Sequence, residues 1–141
     1  MSASSIEDRL AINDLFVRYT GAIDTGDIDT LVDCFTEDGS LQSPAVGEYA
    51  GRVAIRAFAL RFAAFRRNGS QLRHVISNLV MQVDGDRAHA SCYLLVFLTK
   101  DGASRLLAPG QYECELRKVD GTWRFQKRVV KHDHDYALDG I

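Results

Sequence analysis

Nothing in this chain ties it together covalently. Of its 141 residues only Cys34, Cys92 and Cys114 carry thiols, an odd number without Cys-x-x-Cys spacing, so neither a disulfide framework nor a zinc site is expected. A reducing, cytoplasmic setting follows as the expectation. No apolar stretch approaches the length of a membrane span, and the opening MSASSIEDRL lacks the hydrophobic segment of a signal peptide; membrane insertion and secretion have no support. An excess of one charge is missing as well. Lys and Arg number 17 against 19 Asp and Glu, a net charge of −2, with a pI near 6.0, which argues against nucleic acid or an anionic membrane as partner. Gly-x-Ser-x-Gly, His-Glu-x-x-His, P-loop and Gly-x-Gly-x-x-Gly motifs are absent, leaving nucleotide-dependent and zinc-protease chemistry without sequence support. No cofactor and no metal is expected.

What is present suits one compact domain over residues 1–141. Hydrophobic residues make up 46% of the chain, enough for a core at an ordinary single-domain length. The charges are unevenly spread: residues 1–50 hold ten acids against Arg9 and Arg18, and residues 51–141 hold nine acids against fifteen Lys or Arg. The two halves are therefore expected to face each other within the domain or across a dimer.

Ser4 and Glu7 have capping-box spacing, and Ile6, Leu10, Asn13, Phe16 or Val17, Thr20 and Ile23 recur at helical intervals, which predicts a first helix over about 5–24. The run DTGD breaks it. Asp27 can then cap a second helix with Ile28, Leu31, Val32 and Phe35 on its apolar face, ended by TEDG. A short strand around Ser40 to Ser43 stops at Pro44, and GEYAG reads as a loop. Ile55, Phe58, Ala59, Phe62 and Phe65 mark a third helix over about 52–67, with Arg56, Arg61, Arg66 and Arg67 turned outward and Asn68-Gly69 at its end. Everything beyond alternates as strands, at 72–83, 87–99, 108–119 and 122–132. VDGD and VDGT supply tight hairpin turns, and KDGASRLLAPG reads as a mobile loop.

Helices first and long strands last predict an α+β fold: three N-terminal helices packed into a strongly curved antiparallel sheet, a cone-shaped α+β barrel. The mouth of such a cone is the natural place for a pocket of roughly a few hundred cubic ångströms. The runs YTGAIDTGDIDTLVDCFTEDGSL, GEYAGRVAIRAF, RHVISNLVMQVDGDRAHASCYLLV and GQYECELRKVDGTWRFQKR together resemble a SnoaL-like member of the nuclear transport factor 2-like, or cystatin-like α+β barrel, superfamily. The resemblance covers about residues 5–130. It implies a general-purpose cup that serves dehydratases, dehydrochlorinases, isomerases, polyketide cyclases, dioxygenase small subunits and non-enzymatic carriers. The scytalone dehydratase-like, bile-acid dehydratase-like and hexachlorocyclohexane dehydrochlorinase-like members place a histidine at the start of the first long strand, near an acid at the end of the first helix. The matching residues here are His74 and Asp24, and the tyrosine that dehydratases carry before the acid is similar to Tyr19. Where some dehydratases have a further acid or a second histidine on the next strand, this chain has Ser91, Cys92 and Tyr93.

An Asp and a His from distant segments make a general base and its orienter: the carboxylate fixes one ring nitrogen and the other removes a proton. Tyr19, Tyr112 or Arg128 can supply the donor for a departing or developing oxyanion, and Phe58, Phe62, Cys92 and Leu94 the lining. Other readings of these residues stand beside that one. Asp24 next to Thr25 and Gly26 is also ordinary turn chemistry, Tyr19 is also core packing, and Cys92 reads as a small hydrophobe before it reads as a nucleophile. The run KHDHD reads as a solvated tail, because His132 and His134 alone are not a metal site, and His89 reads as surface. Alternation opposes the role of His74: Val75, Leu79, Met81 and Val83 share the apolar parity, so an unbroken strand points His74 away from the core. A bulge near Ser77 or Asn78 reverses that.

The resemblance thus implies a cofactor-independent lyase or isomerase, of dehydratase or cyclase type, acting on a small hydrophobic, cyclic molecule through His74 and Asp24. The alternatives are a small-molecule-binding module without turnover and a dioxygenase β-subunit-like assembly domain. A homodimer is expected, because Leu95 and Phe97 lie opposite in parity to Leu94, Val96 and Leu98, which makes both faces of that strand apolar.

Overall fold

The computed structural model describes residues 5–138 and 141. Ser4 lies outside them, and the helix is capped one residue along, where the Ser5 hydroxyl accepts the Asp8 N–H at 2.9 Å. Helix α1 (Ile6–Thr25) ends at Gly26, whose φ of 76° lets its N–H return to the Ala22 carbonyl, a left-handed cap that glycine adopts without strain. Asp27 caps α2 (Ile28–Asp33) by accepting the Thr30 N–H. Helix α3 (Arg52–Arg67) spans the expected residues and buries Ile55, Phe58, Ala59 and Phe62.

Strands β1 (Phe35–Ser43), β2 (Gly47–Ala50), β3 (Gln71–Asp84), β4 (Arg87–Lys100), β5 (Ala103–Val119) and β6 (Thr122–His132) form one six-stranded sheet in the order β2-β1-β6-β5-β4-β3. All ladders are antiparallel except that of β1 with β6, which is parallel. The three helices pack against this curved sheet in the α+β arrangement expected. Three boundaries differ from expectation. Phe35 starts β1 instead of closing α2, because the Cys34 carbonyl takes the Phe125 N–H at 2.8 Å and the ladder replaces a further helical turn. Gly47–Ala50 is strand, not loop, paired with Ser40–Ser43. After Lys100 there is only a tight turn, Asp101 and Gly102 at φ 53° and 77°. Ser104 and Arg105 then pair with Thr99 and Leu98, so the ladder absorbs a stretch whose composition suggested mobility.

The sheet curls where one strand carries a residue that its neighbour does not match. Leu107 is unmatched between Val96↔Ala108 and Phe97↔Leu106, and Gln126 between Glu115↔Lys127 and Leu116↔Phe125. In β3, Asn78 and Leu79 together face only Cys92, between Ser77↔Tyr93 and Val80↔Ser91. Asn78 takes φ 57° there, a left-handed conformation that asparagine tolerates better than most residues.

The charge asymmetry closes within the chain. Lys118 reaches Asp8 at 3.0 Å, Arg56 reaches Asp29 at 2.9 Å and Arg124 reaches Asp33 at 3.3 Å, each joining the acidic first half to the basic second. Among the described residues no helix is long and apolar enough to cross a membrane.

Candidate active site

The last turn of α1 lies against the start of β3, and two side chains lock the crossing. The Gln71 amide donates to the Asp24 carbonyl at 3.0 Å. The Asp24 carboxylate accepts the His74 backbone N–H at 2.9 Å on Oδ2 and faces the ring Nδ1 at 2.6 Å on Oδ1. Only 6% of the His74 side chain and 11% of that of Asp24 are exposed. A carboxylate against Nδ1 places the ring proton there and leaves Nε2 as the uncommitted nitrogen.

The β3 bulge decides which way that nitrogen faces. Leu72, His74 and Ile76 point inward before it, and Leu79, Met81 and Val83 after it, while Val75 is 47% exposed. The parity shared by Val75 and Leu79 in the sequence is thus broken by the extra residue, and His74 turns to the concave face.

There it lines a narrow, mostly apolar cavity, about 30 Å³ for the centre of a water-sized sphere. Tyr19 and Ile23 of α1, with Phe58 and Phe62 of α3, wall one side; Leu94, Val96, Leu107 and Tyr112 come from β4 and β5. Leu107 can reach inward beside the inward-facing Ala108 only because it is the unmatched residue of its strand. Val130 and His132 of β6, then Tyr136 and Leu138, with Ser43 of β1 and Leu72 of β3, complete the wall.

Of the residues singled out in the sequence, Tyr19, Phe58, Phe62, Leu94 and Tyr112 therefore meet His74 around one cavity. Cys92 and Arg128 do not line it. Cys92 shares the inward face of β4 with Leu94 and is buried, and that burial pushes its thiol pKa up. Arg128 lies wholly inside the core: its guanidinium carbon is 3.6 Å from the Tyr112 ring centroid, 4.1 Å from that of Tyr19 and 4.3 Å from that of Phe125. Nη1 donates to Cys114 Sγ at 3.2 Å, and aromatic faces stand where a carboxylate would be expected. Burial raises the pKa of both Tyr19 and Tyr112, with the Arg128 charge acting the other way. Their hydroxyls stay protonated.

His132 is the cavity residue that the sequence reading leaves in a solvated tail. It closes β6, is half-buried, and has both ring nitrogens enclosed. Its parity with Val130 is the signal that could have found it. His134, two residues on and past the end of the ladder, is exposed. Among the described residues no three His, Cys, Asp or Glu side chains converge as metal ligands.

Known proteins share this architecture. The family model of the SnoaL-like domain matches residues 4–129. An uncharacterized protein of Mycobacterium tuberculosis is 29% identical over 132 residues, covering 92% of this chain and 88% of its own. The solved structure of a protein of unknown function from the same species has 31% identity and a TM-score of 0.83, covering 97% of this chain and 83% of the other. A candidate aromatic ring hydroxylase from Novosphingobium aromaticivorans has 28% identity and a TM-score of 0.81, with 96% and 95% covered. Two further similar structures are described as having a cystatin-like fold.

Proposed function

This chain belongs to the SnoaL-like domain family, within the nuclear transport factor 2-like superfamily, and on that premise we propose that it is a cofactor-independent lyase or isomerase, of elimination or cyclase type, acting on a small hydrophobic, cyclic molecule. The observation that carries the proposal is the 2.6 Å approach of His74 Nδ1 to Asp24 Oδ1 at the wall of an apolar cavity. His74 Nε2 removes a proton from a carbon next to a carbonyl, the C–H electron pair moves into the adjacent bond, and Asp24 stabilises the imidazolium that forms. In an elimination, the leaving oxygen departs with its bonding pair and takes the proton from the His74 imidazolium; in an isomerisation, the imidazolium returns that proton to another carbon. Tyr19 and Tyr112, backed by the buried Arg128, donate to the oxygen on which charge develops. Phe58, Phe62 and Leu94 hold the ring of the substrate.

The test is proton exchange in deuterated water over a panel of cyclic ketones and β-hydroxy ketones. A substrate whose exchange depends on His74 supports the reading; a substrate turned over by His74→Ala at the wild-type rate overturns it. A second reading, a binding module or assembly subunit without turnover, is favoured by the outer face of the sheet. Val75, Tyr93, Leu95 and Leu106 are 47%, 58%, 39% and 46% exposed, and Val75 pairs with Leu95 while Leu106 pairs with Phe97. Such a patch suits burial against a second copy, and a homodimer through this face is part of the proposal. Light scattering that finds one 15.7 kDa species at micromolar concentration removes the dimer. A cytoplasmic setting is proposed on the three cysteines, all buried and unpaired.

A further inference from the structure

His74 shares the cavity with a second imidazole. His132 enters from β6, which β5 and β4 separate from β3, across the concave face. Its seat is shaped by the backbone. Gly110, its partner on β5, has no room for a side chain: a Cβ there would stand 2.0 Å from the Lys131 carbonyl oxygen and 3.0 Å from the His132 Cα. Glycine permits this close approach. On the other side the Tyr136 ring meets the imidazole edge-on, with centroids 4.7 Å apart. Held in this way, both ring nitrogens of His132 are buried, and neither has a hydrogen-bond partner among the described residues. A neutral imidazole carries one donor and one acceptor, and buried polar groups are ordinarily satisfied. His74 commits Nδ1 to Asp24, whereas His132 commits neither nitrogen. His132 itself lines a cavity whose other walls are mostly apolar.

We propose that His132 is a ligand-binding residue of this cavity, donating a hydrogen bond from its neutral ring to a carbonyl oxygen of the bound molecule. The proposal rests on the reading that the cavity holds a small cyclic ketone, and it assigns to that ketone an oxygen acceptor near β6. Neutrality agrees with the surroundings. Burial lowers the pKa of His132, the neighbouring His134 and His74 act in the same direction, and Asp133 opposes them. An uncharged ring favours a neutral carbonyl over a carboxylate, so ketones are the chemical class selected.

Two probes of one shape test it: cyclohexanone, and methylenecyclohexane, in which =CH₂ replaces =O. Affinities are read from chemical-shift changes of cavity residues in the full chain, together with the ¹⁵N shifts of the His132 ring. The ratio of ketone to alkene affinity should fall about tenfold in His132→Phe, the worth of one hydrogen bond, and His132→Gln, whose amide can donate, should retain most of it. Ketone binding should also move a His132 ring nitrogen. An unchanged ratio in His132→Phe, or cyclohexanone at saturation leaving the wild-type cavity resonances unmoved, overturns the proposal. The catalytic reading fails separately: cyclohexanone would bind with a His132-dependent ratio, yet its α-protons would exchange no faster with wild type than with His74→Ala.

Discussion

Replacing Asp24 separates its two tasks. The carboxylate accepts the His74 backbone N–H at 2.9 Å and faces the ring Nδ1 at 2.6 Å, with 9% of the residue exposed. Asp24→Ala removes both acceptors and strands two donors where water has little access. At about 1–3 kcal/mol for each unsatisfied buried group, the loss is on the order of 2–6 kcal/mol. Asp24→Asn keeps one oxygen, which serves one donor while its NH₂ opposes the other, for about 1–3 kcal/mol. His74→Ala leaves the backbone bond to Asp24 intact and should cost less than Asp24→Ala. In a chain of this size each kcal/mol moves Tm by about 3–5 °C, so thermal and urea unfolding rank the three variants. Turnover follows a different order: His74→Ala and Asp24→Asn should each lose roughly 10²-fold, and the double variant should be little worse than the poorer single. Because of the backbone bond, this orienting carboxylate cannot be replaced without lowering stability. Wild-type unfolding by Asp24→Ala would refute the geometry, and multiplicative losses in the double variant would refute the base-and-orienter unit.

Deleting Asn78 should restore one-to-one pairing of β3 with β4 and turn either His74 and Ile76, or Leu79, Met81 and Val83, to the outside; the unfolding midpoint should drop and His74-dependent exchange should vanish, whereas Asn78→Gly, which accepts φ 57°, should stay within about 0.5 kcal/mol of wild type by urea denaturation. Because burial holds the pKa of His132 below 6.5, the unfolded chain takes up that proton first as pH falls. Its contribution is therefore complete above about pH 6.5 and lost as pH drops through the folded value; unfolding midpoints measured between pH 7.5 and 5 should decline less steeply in His132→Phe. Burial raises the thiol pKa of Cys34 and Cys92, and pushes that of Cys114 up to about 11, so a thiol reagent at about pH 8 should label the native protein slowly and the urea-unfolded chain at once.

Much of the site was legible because its signals are local or carried by resemblance. Asp24 follows from the resemblance, which places an acid at the end of the first helix, and Phe58 and Phe62 from the spacing of one amphipathic face. Tyr19 is carried by the resemblance, and Leu94 shares the parity of core positions on its strand. His132 was legible only as far as its parity with Val130, since the three charged or polar neighbours after it read as tail. Arg128 misleads for a physical reason: an arginine on the inward face of a strand suggests a ligand partner, while four aromatic rings from α1, β5 and β6 enclose it instead.

The sequence by itself determines the caps at Asp27 and Gly26, the span of α3, the hairpin turns at Gly85 and Gly121, and the α+β order. Each depends on the φ a residue accepts, or on the face a period of 3.6 or 2 presents, and few neighbouring atoms are involved. Only the tertiary structure decides that Phe35 begins a strand, that β1 runs parallel to β6, and that β3 carries its extra residue at Asn78–Leu79. Those outcomes depend on partners far along the chain. Whether His74 faces the cavity or solvent turns on that single unmatched residue, because a side-chain period of two inverts with a slip of one.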